Sequence, residues 1–160
     1  MTGRAAMAPP PAPRLDEIGL ENFAPYVMNR IMGRYNASLR QELAALGLTT
    51  PQMRALAVLS VRDGPLIRDL AVHAIVPQST LSRALDALER DGLVRRQGDV
   101  EDSRATRIFL TDAGRAAFER LWPHMAVFFE RMFAGIAPDE QRLFVGILQR
   151  MLRNIRKHEI

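Results

Sequence analysis

Residues 77–83 combine amide, hydroxyl and guanidinium side chains with an apolar residue at helical spacing. Leu81, Leu85 and Leu88 fall on one side of the predicted helix, because an α-helix turns by about 100° per residue. The polar groups in its first half can hydrogen-bond the edges of bases and the oxygens of phosphates. A face that is merely hydrated is the alternative interpretation. The residues predicted to contact DNA from this helix are Gln78, Ser79, Thr80, Ser82 and Arg83.

A charged hairpin is predicted directly after this helix. Gly92 ends the helix, and two short runs of β-favouring residues, 93–97 and 105–110, flank the charged turn 98–104. Such a hairpin can act as a wing, whose tip reaches the flanking backbone and the minor groove, where the negative potential attracts an inserted arginine. Arg95 and Arg96 either contact phosphates or brace the hairpin against Glu89 or Asp91.

The charges of this region balance. Residues 77–107 hold six arginines and six acidic residues, although the whole chain carries a formal net charge of +4. Asp99 and Glu101 are predicted to be hydrated turn residues, and surface ion pairs contribute only about 0 to 1 kcal/mol. DNA binding must therefore depend on where the arginines point. The balance also keeps an alternative open, a winged-helix protein-interaction module that does not bind DNA.

The predicted fold is mainly α, with six helices and a two-stranded β-hairpin wing. Helix 66–73 and a tight turn precede Pro77, the arrangement that places a second helix in the major groove. Thr50 and Pro51 open the helix before it. Thr111 caps a long helix that Pro123 is expected to bend.

The last predicted helix carries one strongly apolar face. Its residues follow the i, i+3, i+4, i+7 rule, so a monomer would leave a large hydrophobic surface in water. The pattern predicts an obligate homodimer, with an interface built from residues 20–46, 111–135 and 138–157. The stripe consists of Leu143, Ile147, Leu148, Met151 and Ile155.

Three pieces of sequence, in this order and spacing, resemble the MarR (multiple antibiotic resistance regulator) family. Residues 88–96 (LERDGLVRR) resemble the end of its recognition helix, residues 99–104 (DVEDSR) its D-x-x-D-x-R wing, and residues 110–114 (LTDAG) its L-T-x-x-G entry to the next helix. The resemblance covers residues 20–157. It implies a dimeric winged helix-turn-helix regulator of transcription that binds short palindromes in promoters and, most often, represses.

The resemblance also implies roles for single residues and regions. Arg104 matches the wing arginine that enters the minor groove, and Asp102 matches the acid that orients it and braces the hairpin. This chain has Ile75 and Pro77 where many helix-turn-helix proteins have glycine and serine. The implied organisation is a disordered tail (1–15), an N-terminal dimerisation helix (20–48), a winged helix-turn-helix domain (49–110) and C-terminal dimerisation helices (111–160).

A second candidate site is an apolar pocket between the dimerisation helices and the DNA-binding lobe. The Met- and Phe-rich residues 122–133 are expected to face residues of the first long helix. The family resemblance implies a small aromatic or phenolic effector there, and plain dimer core is the alternative. The predicted lining is Phe23, Tyr26, Met28, Trp122, Met125 and Phe129.

Other function classes find little support in the residues. No nucleophile, base and orienting group stand together, so no catalytic residue, enzyme activity or cofactor is predicted. His73, His124 and His158 are far apart in sequence, which leaves only a zinc or manganese site shared across a dimer as an alternative to no metal. Cysteine is absent and no apolar run could span a bilayer, so a cytoplasmic protein is expected, without a membrane partner.

Overall fold

The computed structural model describes residues 13–102 and 104–155, which form helices and one hairpin. Residues 1–12 of the predicted tail lie outside this part. Residues 15–18 form a short helix, so the prediction of a disordered tail is wrong at Leu15. The chain divides into two compact units, Met1–Ser38 and Leu39–Ile160. The elements are α1 (Leu15–Ile18), a 3₁₀ turn (Leu20–Asn22), α2 (Ala24–Ala45), α3 (Thr50–Leu59), α4 (Ile67–Ala74), α5 (Gln78–Arg90), β1 (Val94–Gly98), β2 (Thr106–Leu110), α6 (Asp112–Met132) and α7 (Pro138–Ile155).

Several helix starts differ from the sequence-based expectation, and α4 begins at Ile67 rather than Leu66. The first long helix begins at Ala24 rather than Leu20, because residues 20–22 form a separate 3₁₀ turn. The N-cap of α3 is Thr49, not Thr50. Its hydroxyl accepts a hydrogen bond from the Gln52 N–H (3.4 Å), and the Gln52 side-chain oxygen accepts one from the Thr49 N–H (2.8 Å). This reciprocal pair forms a capping box that satisfies two otherwise free backbone donors.

Helices α3, α4 and α5 pack with the hairpin around one apolar core. Burial of each large apolar side chain in this core stabilises the fold by about 1.5–3 kcal/mol. The hairpin is antiparallel, from Val94 opposite Leu110 to Gly98 opposite Thr106. The chain before α4 extends this sheet, because the Ile108 N–H donates to the Pro65 carbonyl at 3.0 Å. The completely buried side chains at the centre of the apolar core are Leu56, Leu70, Leu81, Leu85, Leu88 and Ile108.

The helix-turn-helix turn forms around a left-handed isoleucine. Ile75 has φ 54° and ψ 50°, a conformation that costs a non-glycine residue about 1–2 kcal/mol. The Arg54 guanidinium donates to the Ile75 carbonyl at 3.0 Å, and the next residue, Val76, is buried. These contacts offset the strain, so the turn that glycine makes in many such proteins is made here by a β-branched residue.

A close backbone contact joins α6 to the hairpin. The Thr111 hydroxyl accepts from the Gly114 N–H (3.0 Å) and donates to the Gly92 carbonyl (2.7 Å), while the Thr111 N–H donates to the Leu93 carbonyl (3.1 Å). A Cβ on Gly114 would lie 1.9 Å from the Leu93 carbonyl oxygen. The L-T-x-x-G pattern therefore describes one junction, in which threonine caps the helix and glycine permits the approach.

Helix α7 has no buried residue within the described part of the chain. Its apolar side chains are open to solvent, with Leu143 63%, Leu152 53% and Ile155 55% exposed. This is the unpaired hydrophobic face that the sequence pattern predicted. No helix of the described residues is long and apolar enough to cross a membrane.

Candidate nucleic-acid interface

Helix α5 has one face fixed in the core and one face open. Leu81, Leu85 and Leu88 are completely buried against α3 and the hairpin. The N-terminal half of the opposite face carries the polar residues that the sequence analysis selected. Gln78, Ser79 and Arg83 are exposed, whereas Thr80 and Ser82 are half-buried. The buried leucines set the rotation of the helix and so determine which side chains can meet a ligand.

Two of these polar side chains bond to their own helix. The Ser82 hydroxyl donates to the Gln78 carbonyl at 3.0 Å, and the Arg83 Nε donates to the Ser79 carbonyl at 3.4 Å. Neither contact uses the terminal Nη groups of Arg83. Those groups can therefore form the bidentate contact with guanine that arginine makes in the major groove.

The wing turn is organised by Asp99. Its Oδ1 accepts hydrogen bonds from the backbone N–H groups of Glu101 (3.0 Å) and Asp102 (2.9 Å), and its Oδ2 pairs with the guanidinium of Arg107. Arg107 in turn donates to the Gly64 carbonyl at 2.9 Å. The Asp99 side chain is only 7% exposed, so the expectation of a hydrated turn residue is wrong for Asp99. Asp99 opens the charged turn and Arg107 follows it. An acid and a base at the two ends of one short turn are the sequence signal that could have revealed this ion pair.

The two residues assigned to the wing lie at its exposed tip. The Asp102 carboxylate accepts a hydrogen bond from the Arg104 backbone N–H at 2.9 Å, which stabilises the turn. Both side chains are exposed. Among the residues that the structure describes, the Arg104 guanidinium makes no ion pair, so it is open to an external anion. The orienting role that the family resemblance implies for Asp102 stays a prediction.

The remaining arginines of the hairpin have partners within the protein. Arg96 pairs with Asp86 (2.7 Å) and Glu89 (2.8 Å) of α5. Of its two predicted roles, phosphate contact and bracing of the hairpin, these ion pairs favour bracing. The Arg95 guanidinium lies 4.2 Å from the centre of the Phe109 ring and donates to Gln97. The Arg96 contacts hold the hairpin against α5, whereas these Arg95 contacts lie within the hairpin.

Internal ion pairs engage part of the balanced charge of residues 77–107. Three of the six acids in residues 77–107, namely Asp86, Glu89 and Asp99, are engaged by Arg96 and Arg107. The exposed surface is therefore not simply neutral, since Arg83 and Arg104 project from it without such partners in the described part of the chain. The net charge of residues 77–107 is still zero, so the case for DNA binding depends on the open positions of Arg83 and Arg104 rather than on the charge balance.

The wing should lose stability in acid because of Asp99. Backbone N–H groups, first that of Asp102, and the Arg107 guanidinium hold the pKa of this carboxyl below its usual value. A lowered folded-state pKa contributes stability above the unfolded value of about 3.9, and this contribution is lost as pH falls through the folded pKa. Asp99→Asn should therefore lower Tm by a few degrees at pH 7, with a difference that shrinks below pH ~4. Thermal unfolding from pH 3 to 7 measures this, and an equal offset at every pH would contradict it.

The residues predicted to line an effector pocket fall in two groups. Phe23, Tyr26 and Met28 belong to the first compact unit, and a pocket between the units stays a prediction. Trp122 and Met125 line a cleft of about 510 Å³ in the second unit, together with Phe118 and Arg115. Phe129 does not line this cleft and packs against Phe133 instead, with 5.1 Å between ring centres and the rings tilted by 56°.

No metal-binding cluster of three His, Asp or Glu side chains occurs in residues 13–102 and 104–155. His73 lies on α4 and His158 lies outside the described residues. The His124 Nδ1 lies 2.9 Å from a carboxylate oxygen of Glu42, a contact that ties α6 to the end of α2.

A helix-turn-helix with a buried leucine stripe, an exposed polar N-terminal half and a braced β-hairpin beside it defines a winged-helix DNA-binding protein. The profile of the MarR family matches residues 46–105. The crystal structure of a MarR-family transcriptional regulator from Silicibacter pomeroyi is 60% identical, with a TM-score of 0.87, and the match covers 92% of this chain and 100% of that one.

Two curated relatives agree with this assignment. The HTH-type transcriptional repressor Rv2887 of Mycobacterium tuberculosis is 32% identical over 84% of this chain and 98% of its own length. The HTH-type transcriptional repressor IacR of Pseudomonas putida is 28% identical over 89% of this chain and 86% of its own. The chain belongs to the MarR family and is a DNA-binding transcriptional regulator. The relatives are regulators rather than enzymes.

Proposed function

We propose that this regulator binds a palindromic operator as a homodimer in the cytoplasm and represses transcription by blocking the promoter. The observation that carries the proposal is the paired presentation of Arg83 and Arg104, one on the open face of α5 and one at the wing tip. The first is placed for base edges in the major groove and the second for the flanking minor groove. Repression is proposed because the curated relatives are named repressors.

The homodimer follows from the surface of α7. Leu143, Leu152 and Ile155 are each more than half exposed, and an isolated monomer rarely leaves so large an apolar face in water. A second copy of the same chain covers such a face in a two-fold symmetric interface. Two recognition helices related by this symmetry read two half-sites, which is why we propose a palindrome.

Substitution of the two arginines should have effects that differ in kind. Arg83→Ala is expected to cost about 1–3 kcal/mol on the preferred operator and to relax discrimination at one base pair in each half-site. Arg104→Ala is expected to weaken binding to many sequences, to flatten the salt dependence and to lose selectivity between AT-rich and GC-rich flanks. Selection of bound fragments from random DNA identifies the operator, and fluorescence anisotropy over a range of salt concentrations measures both effects.

The outcome also separates this proposal from a protein-docking role. A docking module would give no salt-dependent shift of any DNA fragment, because no phosphate contact would release counterions. If both variants bind the selected operator as wild type does at physiological salt, the assignment of groove-facing residues is wrong.

We further propose that a small aromatic or phenolic effector binds the cleft beside α3 and α6. Phe118 and Trp122 form an aromatic wall, with 6.2 Å between ring centres, and Met125 adds an adaptable apolar surface. Arg115 at the same cleft can pair with a carboxylate or phenolate. The cleft lies between a helix of the DNA-binding core and a helix proposed for the dimer interface, so an occupant can bias their arrangement.

Salicylate serves as the probe for this effector site. An effector changes DNA affinity only if it binds one conformation better than the other, so salicylate should raise Tm and weaken operator binding together. Trp122→Ala should abolish both responses, whereas Val127→Ala, an exposed position of α6 outside this cleft, should leave them unchanged. Thermal unfolding and anisotropy measure the two responses. Stabilisation without any change in DNA affinity would contradict the proposal.

A further inference from the structure

A small cleft separates the first turn of α4 from the wing. Its volume is about 250 Å³, and its walls include Arg68 of α4, Gln78 of α5, and Asp102, Arg104 and Thr106 of the hairpin. Gln78 and Arg104 are two of the residues assigned to DNA contact. Arg68 has no assigned role, yet it faces the same cleft from a third element.

The position of Arg68 is set by the backbone around it. Leu66 forms an antiparallel bridge with Arg107 of β2, and the adjacent Pro65 carbonyl accepts from the Ile108 N–H. These two backbone contacts hold the start of α4 beside the wing. Arg68 follows Leu66 by two residues and is therefore held there as well. The Arg68 side chain itself is 75% exposed and forms an ion pair with Asp69, in which its Nε lies 3.6 Å from the carboxylate. This contact does not use the terminal Nη groups of Arg68.

The groups at the cleft match the chemistry of a phosphodiester. Two guanidinium groups, one amide and one hydroxyl supply donors, and arginine binds phosphate oxygens through two parallel hydrogen bonds. One carboxylate, that of Asp102, opposes them, and one of its oxygens already accepts the Arg104 N–H. The residues that line the cleft carry two positive charges and one negative charge. The ion pair of Asp69 with Arg68 offsets the remaining charge, so the cleft attracts a phosphate through its converging donors rather than through a net charge.

We propose that this cleft takes one phosphodiester of the operator backbone, held between Arg68 and Arg104. This inference rests on the proposed function, because it requires α5 and the wing to lie on the same DNA. Arg68 is then a third contact element, which carries no base specificity and fixes the register of the recognition helix on the duplex. The first turn of α4 holds Asp69, whose charge suits a helix N-terminus in water, and beside it Arg68, whose charge suits a phosphate.

The salt dependence of operator binding tests the proposal. Each lost phosphate contact reduces the slope of log K against log salt by about 0.9, so Arg68→Ala in a dimer should reduce it by about 1.8. Arg68→Lys keeps the charge and should stay near the wild-type slope. Arg14→Ala removes a 75% exposed arginine just before α1, outside the winged helix and outside the ranges predicted for the dimer interface, and should not change the slope. Unchanged Tm for these exposed positions confirms that each variant is folded.

Phosphate ethylation interference locates the contact. Arg68→Ala should become insensitive to ethylation at one symmetric pair of phosphates that matter to the wild type, and Arg83→Ala should remain sensitive there. An Arg68→Ala protein with wild-type slope and interference would overturn the inference while the proposed function stands. If the wild type binds no operator, both fail. If inorganic phosphate stabilises wild type but not Arg68→Ala and the operator slopes agree, the cleft is a site for free anions, which also overturns the proposal.

Discussion

Gly114→Ala is expected to destabilise the protein by about 3 kcal/mol or more, toward the upper end of the range for overpacked sites. The added methyl group would lie 1.9 Å from the Leu93 carbonyl oxygen and 2.8 Å from a methyl group of Leu110. The Leu93 carbonyl cannot simply move, because it accepts the Thr111 N–H at 3.1 Å. Relief of the clash must therefore disrupt the junction between the hairpin and α6. Denaturant unfolding measures the change.

Gly98→Ala provides the matched control for this substitution. Gly98 ends β1, outside the ranges predicted for the dimer interface, and a Cβ there meets no atom within 4 Å. Glycine is less favourable than alanine in a strand, so this variant should be as stable as wild type or more stable by up to about 1 kcal/mol. If Gly114→Ala proves no more harmful than Gly98→Ala, the close approach at the L-T-x-x-G junction is not what requires glycine.

Insertion of ~5 base pairs between the operator half-sites is expected to weaken binding by about a hundredfold or more. The insertion rotates one half-site to the opposite side of the duplex, while two-fold related recognition helices must meet half-sites about 34–36 Å apart on one side. The two protomers of one dimer could then no longer make their specific contacts at the same time. Specific affinity exceeds non-specific affinity by at least about a thousandfold. Fluorescence anisotropy with matched DNA fragments measures this loss.

The control is an operator in which the base pairs between the half-sites are changed in sequence but not in number. It should bind within a few-fold of the parent operator, since the central positions act only through the deformability of the DNA. Binding of the lengthened operator at the parent affinity would contradict a rigid dimer. It would mean that each winged helix reads its half-site independently.

Much of the interface could be predicted from local patterns. The stripe of Leu81, Leu85 and Leu88 determines how α5 must rotate to bury its apolar face, and this leaves Gln78, Ser79 and Arg83 outside. The wing followed from two β-favouring runs around a charged turn, and Thr111 was recognised as a cap from its residue type. Each of these features depends on neighbours within a few residues, which is where propensity and periodicity act.

The partners of the charged residues required the tertiary structure. Residue types left Arg96 equally suited to phosphate and to bracing, and its pairing with Asp86 and Glu89 depends on how the hairpin folds back on α5. Asp99 has the composition of a hydrated turn residue, yet the turn wraps around it and Arg107 closes its open side. These pairings join residues that are seven to ten positions apart, beyond the reach of helical or strand periodicity.

Sequence by itself determined the class of fold, the family and the faces of the helices, because the apolar pattern and three short motifs encode them locally. Only the tertiary structure decided which arginines remain open to DNA. Arg95 and Arg96 are used to hold the hairpin, whereas Arg104 projects from its tip. It also brought Arg68 to the cleft beside the wing, since the extended chain before α4 pairs with β2. The physical reason is that an arginine's role depends on the nearest carboxylate or ring in space, and the fold alone sets that distance.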